Sequence, residues 1–232
     1  MSSPPPTSET RDRLIEAGIR LFAEHGFKGV AVRDLCTEAE ANIAAVNYHF
    51  GSKQGLYAAI FDTTLAADEA RFREALATIT ALAERGRDEP SQLATAVNLY
   101  VRNLLGPLTG EERMRWFAVL AIREMAFPGD GFEQIYRRRA EPAQTALTRI
   151  VIAARQADTA CETDCLQAHA LLGMIWSFGI AKAILWKRLD WERYTPERIQ
   201  TISDIITDLM CRALGIAPDR RPGERADTST TG

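Results

Sequence analysis

Eight residues in the first quarter of the chain have the chemistry to grip and read a nucleic acid: Arg33, Asn42, Ile43, Ala44, Asn47, Tyr48, His49 and Lys53. An asparagine amide can bond an adenine edge in two places, and an apolar side chain such as Ile43 can meet a thymine methyl. Small residues such as Ala44 let the backbone come close to the base edges. Tyr48 and His49 can donate to phosphate oxygens. Lys53 falls in the first turn of a helix, where its ammonium and the free N–H groups would hold one phosphate together. Arg33 suits a flanking contact. Structural roles compete with these. Phe50, at the end of an apolar-sided helix, suits a core, and Tyr48 could join it. A lone lysine is usually solvated, but one at a helix N-terminus opposes the dipole unless an anion compensates.

Other groups are less persuasive. Cys161, Cys165 and His169 stand four residues apart and would share a helix face, with Glu162 or Asp164 nearby, as in a soft-metal or redox site. On one straight helix they spread over about 12 Å of axis and cannot all reach one ion without partners from elsewhere or a helix start after Cys161. No metal site is therefore assigned. The run Arg137-Arg138-Arg139 reads as a solvated face, and Cys36 as a small buried hydrophobe. Nucleophile-elbow, phosphate-loop, dinucleotide and zinc-protease motifs are missing, so the expectation is no catalytic residue, no cofactor and no enzyme.

The elements that must position these residues are helical throughout. Leu14, Ala17, Leu21 and Phe22 make one apolar face, closed by His25-Gly26. Short helices are expected at 32–39 and 43–49, joined by a tight turn at Glu40-Ala41, with Asn42 as N-cap of the second. This is helix-turn-helix spacing, in which the second short helix enters a major groove. Ser52 caps a long helix running toward Leu82. Further helices are expected near 91–105, 111–125, 132–156, 162–188 and 196–214, with Pro142 kinking one and Thr195-Pro196 starting the last. The fold class is all-α.

The apolar stretch 170–181 is too short to span a bilayer and the N-terminus has no signal-peptide core, so the expectation is a cytoplasmic protein without a membrane partner. Four cysteines without a C-x-x-C pair suggest no disulfide framework. The net charge of −3 is unusual for a nucleic-acid binder, and residues 11–62 carry six basic against seven acidic side chains. Non-specific DNA affinity should be modest and steeply salt-sensitive.

Thr10-Arg11-Asp12-Arg13-Leu14-Ile15, Leu21-Phe22-Ala23-Glu24-His25-Gly26-Phe27 and Val32-Arg33-Asp34-Leu35 resemble the TetR family. So does Asn47-Tyr48-His49-Phe50-Gly51-Ser52-Lys53-Gln54-Gly55-Leu56-Tyr57, and its Asn-Tyr-His-Phe form after Ala44-Ala45-Val46 is similar to the CecR-like branch. Two positions depart from the family: Glu40 replaces the usual turn glycine, and Ala31 stands where a Ser or Thr cap is usual. Each is expected to cost about 1 kcal/mol.

The resemblance implies a sequence-specific transcriptional regulator, more often a repressor, released from a near-palindromic operator by a small-molecule effector. It implies a three-helix DNA-binding domain at 10–55 and a helical effector-binding and dimerisation domain at 56–215, between a disordered arm at 1–9 and a disordered tail at 216–232. Leu171, Leu172, Met174, Ile175, Trp176 and Phe178 leave their helix without a polar face, so it needs cover on both sides. A homodimer through the last two helices would supply it. The segment from Trp116-Phe117 to Phe127-Pro128 resembles the CecR-type C-terminal domain more weakly. Candidate effector contacts are Trp116, Arg123, Met125, Phe127, Tyr136 and Trp176. Two rivals stand beside this reading: a metal- or redox-sensing regulator using Cys161, Cys165 and His169, and a helical ligand-binding protein or enzyme with a vestigial DNA head.

Overall fold

The computed structural model describes residues 8–109 and 112–217, and among them there is no strand. In chain order the helices are α1 (Ser8–Gly29), α2 (Val32–Glu38), α3 (Ile43–Phe50), α4 (Lys53–Arg85), α5 (Pro90–Leu105), α6 (Glu112–Ala126), α7 (Phe132–Ile135), α8 (Glu141–Ala154), α9 (Glu162–Ile180), α10 (Lys182–Leu189) and α11 (Pro196–Ala213). A 3₁₀ turn, Gly106–Thr109, precedes α6, and a π-helical segment, Tyr136–Ala140, joins α7 to α8.

Local chemistry accounts for several of the helix ends. Asn42 Oδ1 accepts from the Ala45 N–H at 2.8 Å, Ser52 Oγ from Gly55 at 3.0 Å and Thr195 Oγ1 from Arg198 at 3.3 Å. Ala31 has no side chain with which to cap α2. Asp34 supplies the other half of a capping box instead, accepting the Ala31 N–H at 2.8 Å. Glu40 takes the left-handed conformation that the family's glycine would adopt, with φ of 47°. Around it the Glu40 N–H reaches Thr37 O at 3.3 Å and the Ala41 N–H reaches Cys36 O at 2.8 Å, a Schellman ending. Gly26 kinks α1 with φ of 71°, and a Cβ there would lie 2.5 Å from Arg123 Nη2. Only glycine satisfies both constraints.

Three sequence expectations are corrected, and a fourth holds: the helix expected over 132–156 is distorted as Pro142 implies, since that residue has no N–H to give the Arg138 carbonyl. The Arg139 guanidinium donates to that carbonyl instead, at 3.1 Å. The helix expected over 162–188 breaks at Ala181, and α10 departs from α9 at 61°. The bend lets Leu185 and Trp186 pack against the body rather than project from it. Of the arm placed at 1–9, residues 8 and 9 already belong to α1, where Glu9 pairs with Arg13 at 3.3 Å. Of the tail placed at 216–232, Ile216 is buried, its N–H on Cys211 O at 2.8 Å. The rest of both segments lies outside the described residues.

Two apolar clusters share α4, which runs about 50 Å at 1.5 Å per residue. Leu56, Tyr57, Ile60, Phe61 and Leu65 join Leu14, Phe22, Leu35 and Val46 of the first three helices. Phe72, Leu76, Ile79 and Leu82 join α5, α8, α9 and α11. Phe117, Leu120 and Ile135 belong to the first cluster, so α6 and α7 are built into the packing of the N-terminal helices. The arginine run is only partly a solvated face. Arg137 is exposed, but Arg138 bridges Asp62 and Glu69 of α4 at 3.0 and 2.6 Å. Arg139 pairs with Asp68 and lies 4.6 Å over the Phe72 ring.

Candidate nucleic-acid interface

Helix α3 is a two-faced element. Ala45 and Val46 are buried in the first cluster and anchor it there. Ile43, Ala44, Asn47 and Tyr48 lie on the outer side, spread over about 140° of the helix circumference, and all are exposed. Tyr48 is 73% exposed and Ile43 55%, so neither is a core residue. Ile43 and Asn47, held out on a short, well-anchored helix, form a surface that can meet base edges, with the Tyr48 hydroxyl at its flank. Phe50 packs against the cluster, with the Arg11 guanidinium 5.6 Å from its ring centre.

The placement behind α3 depends on a close approach. A Cβ at Gly55 would lie 1.9 Å from the Phe50 carbonyl oxygen, so only glycine lets the start of α4 sit this close to the end of α3.

The remaining candidates differ in what they have free. Asn42 spends its oxygen on the cap, leaving its amide nitrogen to donate. His49 is half-buried with Nε2 enclosed and unbonded, which leaves Nδ1 as its outward-facing option. Arg33 is exposed in the first turn of α2. The Lys53 ammonium donates to the carbonyls of Phe27 and Val30, each at 2.9 Å, and lies 4.3 Å from the Phe27 ring centre. It therefore ties the end of α1 to the start of α4 and keeps one N–H for an anion. Among the other cations here, Arg20 pairs with Glu38, and Arg13 pairs with Glu9 and donates to Ala39 O. Lys28 is exposed and, among the described residues, makes no ion pair. Sequence reasoning passed over it because it lies outside the helix-turn-helix proper.

A cavity of about 780 Å³ opens between the end of α6, the α7–π segment, α8 and α9. Met125, Tyr136 and Trp176 line it, together with Phe132, Ile152 and His169, which were not anticipated. His169 meets the Trp176 ring edge-on at 5.8 Å. The walls expose mainly apolar surface and also carry Glu141, Arg149 and Asp158, a mixture that suits a small-molecule site. The other three effector candidates lie elsewhere. Trp116 donates to Glu112 at 3.3 Å beside α1, Arg123 packs on Gly26, and Phe127 is 78% exposed. Cys165 also reaches the cavity wall, but Cys161 caps α9, and among the described residues no three His, Cys, Asp or Glu side chains converge as metal ligands.

One buried polar group links the two regions. Glu124 of α6 accepts from the Tyr57 hydroxyl at 2.6 Å and from the Gly129 and Gly131 N–H groups at 3.1 and 3.0 Å. Burial, reinforced by the bond to Glu124, pushes the Tyr57 phenol well above its ordinary range. Its ring also packs edge-on against Phe22 at 4.9 Å and Phe27 at 5.0 Å.

An all-α chain with a helix-turn-helix head and a cavity-bearing body is the architecture of a DNA-binding transcriptional regulator. Residues 14–60 match the model of the bacterial regulatory proteins of the tetR family, and residues 94–216 match that of the C-terminal domain of the HTH-type transcriptional dual regulator CecR. The chain belongs to the TetR family of regulators, in the CecR-like branch. It is 25% identical over 209 residues to the HTH-type transcriptional dual regulator CecR of Shigella flexneri, covering 89% of this chain and 93% of that one. A transcriptional regulator from Rhodococcus sp. Rha1 superposes with a TM-score of 0.56 at 25% identity, over 91% of this chain and all of the other. AmtR of Mycobacterium smegmatis gives 0.56 at 20% identity, over 94% and 90%.

Proposed function

We propose that the chain is a homodimeric, cytoplasmic repressor that reads a near-palindromic operator with the outer face of α3 and releases it when a small molecule fills the cavity between α6 and α9. The observation that carries this reading is the exposed face of α3 formed by Ile43, Ala44, Asn47 and Tyr48 on a helix whose other face is buried. Residues 10–55 form the reading head and 56–215 the effector and dimerisation domain. Asn47 makes the main adenine contact, since Asn42 has committed its oxygen to the cap. Tyr48, Arg33, Lys28 and the remaining N–H of Lys53 meet phosphates. A second copy covers the outer faces of the last helices, where Leu166, Ile180 and Ile184 are exposed on α9 and α10, and Ile205 and Leu209 on α11. The effector touches Met125, Phe132, Tyr136, His169 and Trp176.

Occupancy of the cavity can reach the head through Glu124, which directly precedes Met125 of the cavity wall and holds Tyr57 of α4. A ligand shifts the balance only as far as it prefers one arrangement over the other. The test is selection of bound DNA from a random pool at two salt concentrations. An inverted repeat with half-site centres about one or two helical turns apart is expected. Enrichment of single half-sites would remove the dimeric reading, and no enrichment at low salt would remove the DNA reading.

A further inference from the structure

A second cavity, of about 200 Å³, lies where α6, the α9–α10 break and the segment before α11 meet, and it shares no lining residue with the larger one. Three cations from three different elements line it: Arg115 of α6, Lys182 at the start of α10 and Arg193 between α10 and α11. Glu192 is the only acidic residue in the wall. The rest is largely apolar, with Leu108, Val119, Ile122 and the Trp186 ring.

Neither Lys182 nor Arg193 makes an ion pair among the described residues. Burial, and then the nearby charge of Arg115, holds the Lys182 ammonium below the ordinary lysine range. The indole N–H of Trp186 is enclosed beside the Tyr194 hydroxyl, which itself donates to Phe178 O at 2.7 Å. Like charges gathered in a partly enclosed space repel one another, and an anion among them turns that repulsion into attraction. Guanidinium and ammonium groups are the donors that carboxylate and phosphate oxygens bind most strongly.

We propose that this cavity binds a small organic anion, a carboxylate or phosphate on a compact apolar body, with Arg115, Lys182 and Arg193 holding the charged end and Leu108, Val119, Ile122 and Trp186 the apolar end. The volume falls below the roughly 300 Å³ at which drug-sized sites begin, which limits the ligand to about one ring. The site stands apart from the reading of α3 and does not depend on what fills the larger cavity.

Calorimetric titration of the full chain with benzoate, phenyl phosphate and neutral benzamide tests it, using wild type, Lys182→Met, Arg193→Gln and the remote control Arg137→Gln. Saturable binding of at least one anion is expected, with benzamide weaker by about tenfold or more. The two cavity variants should weaken the anion by a similar factor, and the control should match wild type. Far-UV circular dichroism checks folding first. Lys182→Met replaces a partly buried cation with an apolar chain of similar length, and Arg193 is exposed, so the second variant decides the matter if the first fails to fold. No saturable binding of either anion, equal binding of benzamide, or undiminished binding in a folded cavity variant would overturn the proposal.

Discussion

At the scale of single residues, function and stability fall mostly on different side chains of this head. Tyr48 is exposed and packs on nothing deeper than its neighbour His49, so Tyr48→Phe should leave the thermal midpoint unchanged. It should weaken operator binding on every sequence alike, because a phosphate contact carries no base information. A binding titration beside a melting curve checks both halves. Tyr57 is the reverse case. Removing its hydroxyl takes one of three donors from a buried carboxylate, which should cost about 1–3 kcal/mol in urea unfolding. Lys53 belongs to both classes. Lys53→Ala should lower the stability of the head and weaken DNA binding together, whereas Arg33→Ala should do only the second.

At the scale of elements, α9 begins on a charged cap that gives the fold a pH dependence. Asp164 is buried and accepts from Arg155 at 2.9 and 2.7 Å and from the Cys161 N–H at 2.8 Å. The Arg155 bonds, followed by the Cys161 backbone bond, hold its carboxyl at about 2, below the ordinary 3.8. A depressed folded-state pKa stabilises above the ordinary value and loses that contribution as pH falls toward the folded one. Wild type should therefore exceed Asp164→Asn in stability by a constant margin above about pH 5, and that margin should shrink between about pH 4 and 2. Urea unfolding of both proteins across that range checks it; a margin that grows on acidification would contradict the assignment.

The elements also show what sequence alone makes legible. Caps and punctuation are local, so Asn42, Ser52, Thr195 and Pro196 place their helix starts without any knowledge of the fold. The outer face of α3 follows from helical spacing once its buried face is known. Tertiary packing decides the rest. The break at Ala181 exists because Leu185 and Trp186 find a core to pack on, and the lone Gly179 before it is too weak a signal to announce it. Arg138 and Arg139 look solvated until α4 supplies Asp62, Glu69 and Asp68. Trp116, Arg123 and Phe127 have suitable side chains for an effector site, but the cavity is assembled from segments as distant as Met125 and Trp176.

At the scale of the whole molecule, α4 belongs to both apolar clusters, and α6 and α7 lend residues to the head. The two regions cannot move independently without disturbing shared packing. This makes the Glu124–Tyr57 contact a natural place for ligand and DNA to influence each other. The head's acidic balance and its paired arginines leave few cations for phosphates. These pairs revise the steep salt sensitivity expected from the sequence: the salt dependence of operator binding should be shallow, with a slope reporting only a few neutralised phosphates per head. Affinity measured across a salt series checks this, and a steep slope would show that cations now in ion pairs are released to the DNA.

The most direct test of the central claim, that the outer face of α3 reads sequence, is to repeat the selection from random DNA with Asn47→Ala beside wild type. The account predicts an unchanged melting temperature. It also predicts lost discrimination at one symmetry-related pair of base positions, worth about 1–3 kcal/mol at each, with the rest of the site intact. The same consensus in both proteins, or a uniform loss across all positions, would contradict it.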